Sequence, residues 1–260
     1  MIRTLRMLLI AVCTLSLAAC SAIKAGETHE QSFVKQESAK VLIFSHSTGW
    51  RHKSIETGVE ALKALGAREG YEMVATEDPA IFSTESLKDF DAIILLNTTA
   101  DGKTENSYWF VGERKAAFKA FVQNGGGIVG IHAATDSHYD WPWYGKMIGG
   151  YFKRHPKGTP TGTLTVINTD HPSTADIPTE FVRTDEWYYV KDFNTDVTLL
   201  ITIDPVSIGQ PDEGPQPVAW FHEYDGGRVF YTSMGHTNET YAEPIFLSHV
   251  AGGLHWVLGE

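Results

Sequence analysis

The sequence predicts an α/β domain built on a doubly wound parallel sheet, with added β-structure in its C-terminal half. Three observations predict it. Short continuous apolar runs, such as residues 41–44 and 92–96, have the composition of strands buried on both faces. Between residues 40 and 134 such runs alternate with helix-period segments joined by short loops, the pattern of βαβ units. In the second half, strand-like segments follow one another with turn signals between them.

The elements follow in order. KVLIF opens the domain as a strand. SIETGVEALKALGAREG reads as a helix with Ile55, Val59, Leu62 and Leu65 on one face, Ser54 as candidate N-cap and Thr57 as a weak capping-box partner. YEMVATED is a second strand, STESLKDF a short helix, and DAIILLNTTA a third strand. ERKAAFKAFVQNGG is an amphipathic helix stopped by glycine, and GIVGIHAA the next strand. GTLTVINTD, FVRTDEWYYV, VTLLITID, QPVAWFHEY and GRVFYTSMG then add strands at one edge, and PIFLSHVAGGLHWVLG is a helix that packs back on the sheet. No repeat or linker interrupts residues 40–260, so one domain is expected there.

Residues 1–19 read as a signal peptide: Arg3 and Arg6 precede the apolar run MLLIAVCTLSLAA. LAAC resembles a bacterial lipobox ending at Cys20, which would be lipidated; an ordinary secretory signal cut nearby is the alternative. Either way the protein is exported. With the lipid, residues 20–39 form a tether and the domain lies on the periplasmic side of a membrane as an envelope lipoprotein. Cys13 and Cys20 are the only cysteines, so the domain offers no disulfide, CxxC site or thiolate nucleophile. With 21 basic and 32 acidic residues, net charge −11, and no Lys/Arg cluster, nucleic acid is not an expected partner. Seven Trp and ten Tyr, many in polar segments, suit the flat faces of sugars.

In doubly wound sheets the ligand site lies beyond the carboxyl ends of the strands. Three loops leave those ends, residues 45–52, 97–107 and 132–144, all rich in His, Thr, Asp and Trp. GGGIVGIHAAT places His132 at a strand-to-helix turn, where backbone N–H groups and the helix dipole favour an anion. A histidine there acts as general base or, as neutral imidazole, as a metal ligand.

The segments VLIFSHSTGWRH, GGGIVGIHAATDSHYDWPWYGKMIGGYFKRHP, TDEWYY and GGRVFYTSMGHTNETY, in this order, resemble the trehalose-utilisation (ThuA-like) family. That family is a branch of the flavodoxin-like, class I glutamine amidotransferase-like fold. True amidotransferases carry a nucleophilic cysteine at the turn where this chain has His132, and without a thiol glutamine hydrolysis is not expected. The resemblance implies carbohydrate catabolism through 3-keto intermediates instead.

The expected catalytic group is His132, Glu186 and His236, which also form the candidate ligand set for a divalent metal such as zinc. Strand alternation puts only one of Asp185 and Glu186 on the inner face, and Glu186 is the choice. His52, Arg51, Asp136, Trp143, Tyr144 and His155 are candidates for binding a small carbohydrate; of His46 and His52, one is expected to reach the site. Trp141 and Trp143 serve equally well as a hydrophobic cluster of their own loop. His222, His249 and His255 are expected to be structural. A 3-keto group acidifies the neighbouring C–H, so a general base drives isomerisation or elimination without any nucleophile. A lyase, isomerase or hydrolase of 3-keto-glycosides is therefore expected. A non-catalytic sugar-binding lipoprotein and a metal-dependent hydrolase of an unrelated substrate are the alternatives.

Overall fold

The computed structural model describes residues 38–104 and 106–260. The leader, Cys20 and the tether up to residue 37 lie outside the described residues. Five strands, β1 (Lys40–Phe44), β2 (Glu72–Thr76), β3 (Ala92–Leu96), β4 (Gly127–Ile131) and β11 (Gly227–Thr232), form a parallel sheet in the order β2-β1-β3-β4-β11. Four antiparallel strands extend it beyond β11: β10 (Gln216–Tyr224), β9 (Thr198–Ile203), β6 (Thr161–Val166) and β7 (Glu180–Thr184). The added β-structure thus lies on one edge.

The apolar strands bury both faces because successive side chains point to opposite sides. Val41 and Ile43 of β1 join one core cluster, with Leu62 and Leu65 of α1 (Ile55–Glu69) and Phe246, Val250 and Leu254 of α5 (Pro244–Leu258). Leu42 and Phe44 join the other, with Phe118 and Phe121 of α3 (Gly112–Gln123). The short α2 (Thr84–Leu87) contributes Leu87 to that second face. On α5 a Cβ at Gly252 would lie 2.4 Å from backbone atoms of Pro172 and Ser173.

Three expectations need correction. Ser54 does not cap α1: its backbone is already helical (φ −83, ψ −2), and its hydroxyl turns away to donate to the Gly235 carbonyl and accept from Asn97 Nδ2. The segment 132–144 is not all loop, since α4 (Pro142–Ile148) begins inside it with Pro142 in its first turn. FVRTDEWYYV is not one strand. It breaks after Thr184, and its far end, β8 (Tyr189–Lys191), pairs with β5 (Tyr151–Arg154) in a separate two-stranded ribbon. The break matters, because it carries Asp185, Glu186 and Tyr188.

Four buried histidines serve the core. His138 accepts from the Phe110 N–H, His222 meets the Met147 carbonyl, His249 the Ser173 carbonyl, and His171 pairs with Ser173 Oγ. Burial pushes their pKa down, to about 3 for His138 and about 4 for His171 and His249. Their unfolded values lie near 6.5, so below that pH the unfolded chain binds more protons and stability falls as pH drops. Each such histidine adds a limiting slope of about 1.4 kcal/mol per pH unit. The unfolding free energy, measured in urea from pH 7.5 to 4.5, is expected to fall on acidification below 6.5, and His249→Gln to reduce the slope by about one proton. Gly252→Ala is expected to cost about 2 kcal/mol or more in the same assay, because backbone rather than a mobile side chain must give way.

Candidate metal centre

The carboxyl ends of β1, β4 and β11 carry the site. His132 follows β4 directly, with φ +49, a strained left-handed conformation for a residue with a side chain. It is fully buried and fixed from two sides: Tyr231 Oη donates to its carbonyl at 2.7 Å, and its Nδ1 lies 2.8 Å from the Ser233 carbonyl. A carbonyl only accepts, so Nδ1 carries the proton and Nε2 presents a lone pair. That lone pair faces Glu186 Oε2 at 3.5 Å and His236 Nδ1 at 3.2 Å, while His236 Nδ1 is itself 3.2 Å from Glu186 Oε2.

His52 completes the group. Its ring meets the His132 and His236 rings edge-on at 4.9 and 5.1 Å. It is 2% exposed, and its Nδ1 is buried with no partner among the described residues. Burial first, then the neighbouring His132 and His236, push its pKa down to about 2, so the imidazole is neutral. Burial also opposes charge on Glu186, but the neighbouring His132 and His236 rings outweigh it and hold the carboxyl well below the usual range. His236 shows the reverse balance: burial disfavours its charge, and Glu186 raises its pKa.

One donor atom from each of His52, His132, Glu186 and His236 lies within 4.8 Å of all the others. Ligand atoms placed tetrahedrally about 2.1 Å from a zinc ion are separated by roughly 3.4 Å. The measured separations of 3.2, 3.2 and 3.5 Å match that spacing. Two further features fit a cation. A lone pair and a carboxylate converge at His132 and Glu186, and His52 has an orphaned buried nitrogen, a feature rare in folded proteins.

The other predicted residues divide. His155, its side chain 39% exposed, places Nδ1 3.2 Å from the remaining carboxylate oxygen, Glu186 Oε1, and 2.8 Å from the Pro156 carbonyl. Asp136 accepts from Tyr139 Oη and lies within electrostatic reach of His132, Glu186 and His155; burial raises its pKa. The structure does not bring Arg51, Trp143 or Tyr144 to this group. Arg51 points outward to Glu77 and Glu56 at 2.6 and 2.8 Å, because two carboxylates hold its guanidinium. Trp143 donates to Asp225 at 2.7 Å, in the turn preceding β11 and so at the opposite end of that strand from His236. Tyr144 is buried and spends its hydroxyl on the Ala134 carbonyl at 2.7 Å. The Trp-rich segment folds onto its own aromatic cluster, with Trp141 stacked on Trp143 at 4.9 Å. His46 is likewise outside the group, on the Glu77 carbonyl.

Sequence reasoning missed the role of Asp185. Buried completely, it accepts from the backbone N–H groups of Glu186 (2.9 Å), Gly235 (3.0 Å) and His236 (3.1 Å) and from Thr240 Oγ1 (3.2 Å). Arg183, 3.5 Å away, balances its charge and in turn meets Glu243 at 2.5 Å. One carboxylate therefore fixes the loops that carry Glu186 and His236 relative to each other. Asp185→Ala is expected to lower stability by about 3 kcal/mol, since it orphans several donors and a buried guanidinium. Chemical denaturation measures this, and Arg183→Met combined with Asp185→Ala should recover part of the loss.

The sequence profile of the ThuA family, described as trehalose utilisation, matches residues 40–257. A ThuA-like protein from Bacteroides uniformis is 26% identical, with TM-score 0.71 over 85% of this chain and 92% of that one. A ThuA-like protein from Parabacteroides merdae is 18% identical, with TM-score 0.66 over 86% of this chain and 91% of that one. A glutamine amidotransferase from Thermotoga maritima shares the fold at 10% identity, with TM-score 0.54 over 85% of this chain and 99% of that one. No functionally curated protein matches the chain in sequence. The profile spans nearly the whole described domain, and this chain belongs to the ThuA family.

Proposed function

We propose that His52, His132, Glu186 and His236 hold one divalent metal ion, zinc being the best match to three imidazoles and a carboxylate, and that the site acts on a keto-sugar or keto-glycoside. Membership of the ThuA family supports the carbohydrate class. The observation that carries the metal is the triangle of donor atoms at 3.2, 3.2 and 3.5 Å, with a donor atom of His52 within 4.8 Å of each. A bound divalent ion supplies Lewis acidity toward a substrate oxygen.

The remaining chemistry belongs to the chain. His132 is too deeply buried to take a proton from a substrate, and its two nitrogens are committed to the Ser233 carbonyl and the cluster. His155 is the base. With its Nδ1 proton shared between Glu186 Oε1 and the Pro156 carbonyl, Nε2 carries the lone pair on a partly exposed ring. In a 3-keto-glycoside, Nε2 removes the proton from C2, the electron pair forms the C1–C2 double bond, and the C1–O bond to the departing sugar breaks. The leaving oxygen then takes a proton from the imidazolium or from solvent. No nucleophile is needed, in keeping with a domain that has no thiol.

The leader sequence supports export and a lipid on Cys20. Loss of the lipid mass in a Cys20→Ser variant, seen by intact-protein mass spectrometry, is the expected outcome.

Metal analysis of the purified protein beside His132→Ala tests the centre. About one equivalent in the wild type, lost in the variant, is expected; no metal in either protein overturns the ligand assignment. On 3-keto-disaccharides, His155→Ala is expected to lower kcat by about 100-fold while retaining the metal, the range typical for loss of a general base.

A further inference from the structure

Most tyrosines around the site spend their hydroxyls on protein, but the buried Tyr188 and Tyr189 do not, the Tyr189 ring lying under the Arg154 guanidinium at 3.7 Å. Tyr139 donates to Asp136, Tyr144 to the Ala134 carbonyl, Tyr151 to the Trp141 carbonyl, Tyr231 to the His132 carbonyl and Tyr241 to the Gly235 carbonyl. Tyr188 has no hydrogen-bond partner for its hydroxyl among the described residues. The residue is only 6% exposed.

The ring is held firmly where the chemistry is. It packs at 4.3 Å against His132 and at 4.3 Å against Phe152, and lies stacked near His155 at 6.2 Å and 24°. Its backbone belongs to the break between β7 and β8, two residues after Glu186. A donor with no internal acceptor, on a ring locked between the candidate metal ligand and the candidate base, has a fixed direction and an unmet hydrogen bond. An ordered phenol of this kind costs no reorganisation when negative charge develops on a nearby oxygen.

Resting on the function proposed above, we infer that Tyr188 contacts the substrate, its phenol O–H donating to the carbonyl oxygen of the keto-sugar as that oxygen gains charge during C–H abstraction. No proton need leave the phenol for this: the bond strengthens as the carbonyl becomes an enolate and relaxes as the leaving oxygen departs. Tyr188 is thereby a catalytic residue distinct from the base and from the metal ligands.

The test compares the full protein with Tyr188→Phe, which removes one oxygen that has no hydrogen bond to a described residue and keeps the packing ring. Metal content and Tm are measured first and are expected to be unchanged. On a 3-keto-disaccharide, kcat is expected to fall by about 100-fold with KM little changed, the size of losing one oxyanion donor. Calorimetric binding supplies a second readout. The variant should lose preference for the keto-sugar over the corresponding alcohol sugar, whose binding stays as in the wild type. Wild-type kcat and unchanged preference in the variant overturn the role of Tyr188 and leave the proposed function standing. A wild-type protein that neither binds nor turns over keto-sugars overturns the proposed function and this inference together.

Discussion

The parallel pairing of β4 with β11 is the constraint on which the rest depends. Its register sets Ile131 opposite Thr232, so the residues that leave the two strands, His132 and Ser233, emerge side by side. Only then does the Ser233 carbonyl meet His132 Nδ1, and only then does the turn through Gly235 present His236 to the same point. A slip of one residue would send each side chain to the opposite face of the sheet. Phe230 in one core and Tyr231 in the other resist such a slip, since both rings would have to change places. Hydrophobic burial on the two faces thus fixes a polar geometry at the strand ends.

The turn after β4 shows how one fold hosts different chemistry. In an amidotransferase this position presents a nucleophile toward substrate. Here a strained backbone turns an imidazole inward, where it is fully buried and tied to a carbonyl. The turn sets a buried imidazole beside Glu186 and His236, while the partly exposed His155 lies on the added segments. The strand extension beyond β11 is therefore more than decoration of the sheet edge: it brings Glu186 into the centre from 50 residues away in sequence from His236.

Much of this was legible in the sequence, for physical reasons. Continuous apolar runs mark doubly buried strands whatever surrounds them, so β1, β3 and β4 and their strand-end loops could be read directly. His132, Glu186 and His236 could be chosen because strand ends and motif order constrain them. Their convergence could not be read, because it depends on β11 returning beside β4. Tertiary pairing also decided the cases that local pattern got wrong. TDEWYY looks like one strand until its two ends find different partners, in β6 and β5. Trp143, Tyr144 and Arg51 have the side chains of a binding loop, but nearby partners consume their polar groups. Asp185 was passed over because a carboxylate that binds mainly backbone N–H groups of distant loops has no sequence signature.

The chain of charge from Glu243 through Arg183 to Asp185 ties three positions into one unit. Glu243 is a partly exposed residue at the start of α5, yet it neutralises the guanidinium that stabilises the clamp behind His236. A neutral change at the surface position would leave a cation beneath it poorly balanced, and a change of Arg183 alone would leave Asp185 as an isolated buried anion. Sequence drift at these three positions is therefore not independent. Losing one member in this chain is expected to cost more than replacing the set together.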